Sequence, residues 1–196
     1  MGRAVPRCAV AVLLCATSVA PADADQPLLR PSRDIDVTYR ATAPQDGRAV
    51  EQRVRWLAAA QTMRIDPPSP GLHVIIDYAA RRMSVVRDAT RSVIDMAAPD
   101  GMTDALGGGG AAGSPAGSYV RQGEAAVAGR ACTEWQTRDA AAHAVVVCIT
   151  ADGVLLRAGP PGQVRVSAVS LQYAPQDPAA FRVPADYAHR SAGTAR

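Results

Sequence analysis

The stretch Arg130-Ala-Cys-Thr-Glu-Trp-Gln-Thr-Arg-Asp-Ala-Ala-Ala-His-Ala-Val-Val-Val-Cys-Ile-Thr150 decides the fold. Its ends, Arg130–Thr137 and Ala142–Thr150, carry the β-branched and aromatic residues of strands, and Arg138-Asp-Ala-Ala141 supplies a turn. Opposed residues of an antiparallel pair have a constant index sum. Setting Cys132 opposite Cys148 therefore centres the turn on Ala140, inside the turn segment. A directly opposed, non-hydrogen-bonded pair has Cα atoms about 4.5 Å apart, within disulfide reach. This register pairs Glu134 with Val146 and Gln136 with Ala144 on the sulfur face. It pairs Thr133 with Val147 and Trp135 with Val145 on the other. The Trp135–Val145–Val147 face is expected to point to the core and the Cys132–Cys148 bridge to lie on the outer, more polar side. A slip of one residue would turn Trp135 outward. No Cys-x-x-Cys spacing accompanies the pair, so the bridge reads as structural rather than redox-active.

Working toward the N-terminus, Ile35–Tyr39 alternates with period two, the mark of a half-buried strand. Val50–Trp56, Gln61–Asp66, Leu72–Tyr78, Arg82–Arg87 and Ser92–Met96 follow as short strands separated by turn residues. Pro67-Pro-Ser-Pro-Gly71 stops the third, since proline cannot donate to a ladder. Residues 97–118 differ: Pro99–Leu106 predicts a turn or two of helix, and Gly107-Gly-Gly-Gly110 breaks any element. The glycine run is not a phosphate loop, because no Gly-Lys-Ser/Thr follows and the chain has no lysine. It reads as a surface loop. Beyond it, Tyr119–Val127 is a strand, Asp152-Gly153 turns the chain into Val154–Arg157, and Gln163–Tyr173 is the last long strand. Regular short strands of this kind indicate a sandwich, a barrel or a strongly curved sheet.

The first 24 residues have another character. Arg3 and Arg7 form a positive start, Cys8–Val19 is apolar, and Ala20-Pro-Ala-Asp-Ala24 offers small residues for cleavage. This is a secretory signal peptide, with cleavage expected after Ala24. The apolar run is shorter than the ~20 residues a spanning helix needs. An uncleaved anchor is the alternative. Lipidation at Cys15 is disfavoured by Leu14, where a small residue is required. Cys8 and Cys15 leave with the signal, and the two remaining cysteines suit an oxidising compartment. The absence of lysine and asparagine, with abundant alanine, arginine and proline, fits the codon usage of a GC-rich bacterial genome. The expected address is the periplasm, with no transmembrane span after cleavage.

The formal charge of +3 is spread among alternating acids and bases, with no basic stripe for nucleic acid. His73, His143 and His189 lack partners at metal-ligand spacing. Gly113-Ser-Pro-Ala-Gly117 has the wrong order for a nucleophile elbow. No catalytic residue, metal site or cofactor is expected, and the chain reads as a non-enzyme.

Several stretches together carry a resemblance. Gln61–Asp66, Val74–Asp77 running to Arg82–Val86, Ala128–Trp135, Val147–Leu156 and Phe181–Tyr187 occur in an order similar to the periplasmic LolA/LolB-like superfamily of outer-membrane lipoprotein carriers, most closely its branch of exported domains of unknown function. The resemblance implies a mainly β protein: a strongly curved antiparallel sheet, an open half-barrel of about ten to eleven strands, with a short helix or glycine-rich loop over its concave face. The domain plan is a signal peptide at 1–24, a flexible N-terminus at 25–34, one LolA-like β domain at 35–187 and a disordered tail at 188–196. The carriers hold acyl chains on the concave face. Val37, Tyr39, Val54, Trp56, Met63, Ile65, Ile76, Trp135, Val145 and Val147 are the candidate lining for a lipid, lipoprotein or other apolar ligand. A lining and a plain core share one sequence signature. The alternative is an envelope protein-interaction or assembly domain that uses a sheet edge or the 97–118 loop.

Overall fold

The computed structural model describes residues 26–42, 47–99, 106, 119–139 and 142–191. The expected signal segment, the expected helix short of Leu106, the glycine-rich loop and the last five residues lie outside them.

The alternating stretches form twelve strands: β1 Ile35–Thr42, β2 Ala49–Leu57, β3 Thr62–Asp66, β4 Leu72–Asp77, β5 Arg82–Arg87, β6 Ser92–Ala97, β7 Val120–Val127, β8 Arg130–Arg138, β9 Ala144–Ile149, β10 Leu155–Gly159, β11 Val166–Gln172 and β12 Ala188–Ser191. They make one sheet in the order β12-β6-β5-β4-β3-β2-β1-β11-β10-β9-β8-β7. Every neighbouring pair is antiparallel except β12 on β6, which is parallel. The sheet is unclosed, with β12 and β7 at its edges. The sequence pattern predicts ten to eleven strands. The twelfth, β12, falls where a disordered tail is expected from 188. Helical structure among the described residues is confined to the 3-10 turns Ala58–Ala60, Asp88–Thr90 and Pro178–Phe181.

The first half is a meander built on one repeated device. The turns after β2, β4 and β5 each end in a left-handed residue that is not glycine: Gln61 at φ 50°, Arg81 at φ 55° and Arg91 at φ 46°. A short turn closed by a left-handed residue matches the right-handed twist of the strands it joins. In the second half the sheet curls. β7 touches β11, although three strands lie between them, and a flat sheet would hold them about 19 Å apart at its usual spacing. Bulges at Arg121/Gly123 and Leu155/Arg157 bend β7 and β10.

The disulfide Cys132–Cys148 is present, with Cα atoms 5.5 Å apart. Its hairpin register differs from the expected one by two residues. Thr133 faces Ile149, Glu134 faces Cys148, Trp135 faces Val147 and Gln136 faces Val146, so the cysteines meet diagonally. The cause is the turn. Asp139 N donates to His143 O, Ala142 N donates to Asp139 O, and Ala142 takes a left-handed φ of 64°. These bonds centre the loop one residue later than expected. A shift of two conserves the faces, so Trp135 and Val147 still point inward. The bridge is not on a wet outer side: Cys132 is 5 % and Cys148 1 % exposed. In the row Glu134–Cys148–Arg157, the ion pair between Arg157 and Glu134 spans the middle residue and covers it.

The inner faces of both halves meet in one apolar cluster that includes Ile35, Val37, Tyr39, Trp56, Trp135, Leu156 and Leu171. Leu106, the one described residue of its segment, belongs to it. On the outer face Ile75, Val86 and Val93 are buried on β4 to β6, and Phe181 of the C-terminal segment lines the same cleft as Ile75.

Candidate functional site

All ten candidate lining residues project into the inner cluster, and all ten are buried. Strand pairing aligns them in cross-strand rows. Ile35, Trp56, Met63 and Ile76 form one row, which continues through Met83 to Met96. Val37, Val54 and Ile65 form the next, which continues through Val74 and Val85 to Ile94. Tyr39 crosses the interior and donates from its hydroxyl to the Leu155 carbonyl at 2.5 Å. Burial pushes its pKa up, so it stays protonated. Trp56 packs on Tyr78, ring centroids 5.8 Å apart, and donates its indole N–H to Pro31 O at 2.9 Å. These contacts are those of a closed core. Exposure on this face begins only where the rows run outward: Val74, Met83, Val85, Ile94 and Met96 are half-buried. Those five fall outside the ten candidates, and it is the strand register that places them in rows with Trp56 and Val54.

The N-terminal segment Gln26–Asp34 forms a strap along the rim of this core. A flexible N-terminus is expected at 25–34; residues 26–34 contact the rest of the chain at many points. Gln26 Oε1 accepts from Tyr119 N. Arg30 bonds Gln61 and sits 4.6 Å over the Tyr78 ring. Ser32 N donates to Asp152 O at 2.9 Å, and Arg33 Nε donates to the Asp152 carboxylate at 2.9 Å while stacking 3.6 Å over Tyr173. Asp34 accepts from Ala58 N and from Gln176 N, joining the 3-10 turn after β2 to the C-terminal segment. Asp152 is the hub, also accepting from the Thr150 and Tyr173 hydroxyls. Burial opposes its charge, but the hydrogen bonds from Thr150, Arg33 and Tyr173 outweigh that and lower its pKa.

On the outer face Ser84 donates to Asp95 at 2.6 Å, and His189 Nδ1 lies 2.7 Å from the other Asp95 oxygen. The three residue types are those of a hydrolase triad, but the carboxylate is in the middle. A nucleophilic serine needs the imidazole between itself and the acid, so this arrangement fastens β5, β6 and β12 rather than activating Ser84. Nearby, Arg55 and Arg64 converge on Asp66 at 2.7 and 2.8 Å. His73 is buried in β4 next to this group, and His143 sits in the β8–β9 turn against Asp139. Among the described residues no cluster of three or more His, Cys, Asp or Glu is placed to hold a metal. No described helix is long and apolar enough to cross a membrane.

The two edges complete the inventory. β7 pairs only with β8 among the described strands, and Val120 at its start is 57 % exposed. β12 is short and carries His189 and Arg190.

No protein-family profile matches the chain, and no curated protein matches it in sequence. Solved structures do match in fold. An uncharacterized conserved protein from Thermus thermophilus superposes with a TM-score of 0.55 at 16% identity, covering 82% of this chain and 91% of that one. The MucA/MucB complex of Pseudomonas aeruginosa gives a TM-score of 0.50 at 15% identity, covering 79% of this chain and 56% of the matched chain. At such identities the shared property is the fold: an unclosed, largely antiparallel sheet curled around an apolar interior.

Proposed function

We propose that this chain is an exported, periplasmic, non-catalytic binding domain of the LolA-like β type, and that its partner is another protein of the cell envelope. The carrying observation is the open edge at β7. This eight-residue strand lacks a second neighbouring strand among the described residues and is largely exposed along its length. An extended segment can add to such an edge through main-chain hydrogen bonds, with side-chain contacts supplying specificity. The match to a MucA/MucB complex supports the same reading, since a protein of this fold is seen there with a protein partner. The domain plan follows the sequence: a signal at 1–24 and a single β domain from 35 onward. The buried state of the ten inner residues favours a protein partner over a ligand held deep in the sheet.

Photo-crosslinking residues at Val120, Gln122 and Glu124, in the full chain expressed with its signal, test the proposal. One envelope protein captured at these positions, and not from Arg48 or Pro161, is the expected result. No protein adduct at any β7 position would refute it. A second reading keeps its own observation. The half-buried residues Val74, Met83, Val85, Ile94 and Met96 extend the apolar face to an accessible margin, where a lipid or acyl chain would lie. Stoichiometric lipid in native mass spectra, lost in Met83→Glu, would favour that reading.

A further inference from the structure

The outer face carries a cleft of about 350 Å³ that the binding roles above leave unused. Its floor is Thr62, Ile75, Asp77, Arg82 and Ser84 of β3 to β5, and its wall is Phe181, Arg182 and Val183 of the C-terminal segment. Small-molecule sites are typically about 300–1,000 Å³, mostly apolar, with a few converging polar groups. Here the apolar body is Ile75, Phe181 and Val183, the first two buried. The charged groups are Arg82, Arg182 and Asp77.

Their occupancy distinguishes them. Arg33, Arg53, Arg55, Arg64, Arg91 and Arg157 each engage a carboxylate. Arg82 and Arg182, like Arg81, Arg87, Arg165 and Arg190, make no hydrogen bond or ion pair through their guanidinium groups among the described residues, but these two flank the same cleft. Two acids lie near: Asp77 faces Arg82 across β4 and β5, and the Arg82 charge acts on Asp95. Asp77 Oδ1 accepts from Ala80 N at 2.8 Å, and both Asp95 oxygens are taken by Ser84 and His189. Two planar donors beside the apolar side chains of Ile75, Phe181 and Val183 match a carboxylate carried on a short apolar body, because guanidinium pairs with carboxylate through parallel N–H···O bonds. We infer that this cleft binds an apolar carboxylate, either a small organic acid or the C-terminal residue of a peptide. The face is opposite the inner cluster and distant in sheet order from β7, so the site stands or falls apart from the proposed partner surface.

The test is an amide-resolved NMR titration of the full exported chain with hexanoate, with 1-hexanol as the uncharged control. Saturable shifts at Ile75, Ser84 and Arg182 with hexanoate, and none with hexanol, are expected. The double variant Arg82→Gln, Arg182→Gln should bind hexanoate at least about tenfold more weakly, the scale of one charge-assisted hydrogen bond. Both residues are exposed, so the fold should survive their change. A pentapeptide ending in leucine, compared with its C-terminal amide, separates the sources. Tighter binding of the free-acid peptide than of hexanoate assigns a chain terminus, and the reverse assigns a small acid. Absence of saturable shifts, equal shifts with hexanol, or unchanged affinity in the double variant would overturn the site.

Discussion

Gly153 shows what one residue carries. Its φ is 89°, in the region that favours glycine, and a Cβ there would stand 2.2 Å from Arg30 O. The β9–β10 turn and the strap thus meet at a point where only a hydrogen fits. Gly153→Ala should destabilise the chain by about 1–3 kcal/mol, combining backbone strain with displacement of the strap. A shift of the urea midpoint, with loss of the Trp56 fluorescence position set by Pro31, would register it. A midpoint unchanged in the variant would mean that the strap does not press on the turn. Arg81 is the opposite case: its left-handed φ of 55° lies in an exposed turn. Cys132 gives the third residue-scale expectation. Its bridge closes a loop with a sequence separation of 16, and Cys132→Ser should cost about 3 kcal/mol on loop-entropy grounds. The same loss should appear on reduction of the unmodified chain and be absent from reduced Cys132→Ser. The pairing is legible in sequence, because two cysteines remain on one hairpin. Their diagonal meeting is not, since it depends on Ala142 taking a left-handed conformation that nothing in an alanine-rich turn announces.

Elements differ in how plainly the chain spells them. β1 to β6 alternate apolar and polar residues, so a period-two reading finds both the strands and the inward face. The same pattern extends the inner face to Met83, Val85, Ile94 and Met96. Alternation alone does not single those residues out, because they count as apolar in any short strand, and only register places them in rows with Trp56 and Val54. β12 is not legible. Four exposed residues carry no periodicity, and their placement rests on distant partners: Ala188 N donates to Arg91 O, Arg91 pairs with Asp186, and Tyr187 donates to Asp88. The strap is hidden for the same reason. Its order comes from polar contacts with residues far along the chain, chiefly Asp152. Asp152→Ala removes the acceptor for Arg33, Thr150 and Tyr173 at once. Hydrogen exchange at Ser32 and Arg33 should accelerate by at least about tenfold, while β3 to β5 keep their protection. Uniform acceleration throughout the sheet would instead make Asp152 part of the global fold rather than the fastening of one element.

At the scale of the molecule, buried charge sets the response to pH. His73 lies in β4 with Asp88 3.9 Å away and with Arg64, Arg55 and Asp66 around it. Burial, then the Arg64 charge, lowers its pKa below the ordinary histidine value, outweighing the acids. The folded state therefore prefers neutral His73. This contribution to stability is fully present above the unfolded pKa of about 6.5. It is lost as the pH falls toward the folded value, because the unfolded chain takes up the proton first. Asp66, Asp95 and Asp152 add a second step. Burial works against each charge, but Arg64 and Arg55, His189 and Ser84, and Thr150 with Arg33 and Tyr173 hold the three below the usual carboxylate range. Their contribution is present above the unfolded pKa of about 3.9 and declines below it. Stability should thus be flat between about pH 7 and 9, fall modestly as the pH drops below about 6.5, and fall again below about 4. Urea midpoints at closely spaced pH values, measured for the chain and for His73→Gln, separate the steps. The variant should lose the upper step and keep the lower one. The difference between the two curves reports His73 itself. A midpoint that rises as the pH drops from about 7 to 5, or a His73→Gln curve parallel to that of the unaltered chain, would contradict a neutral histidine built into the outer face of the sheet.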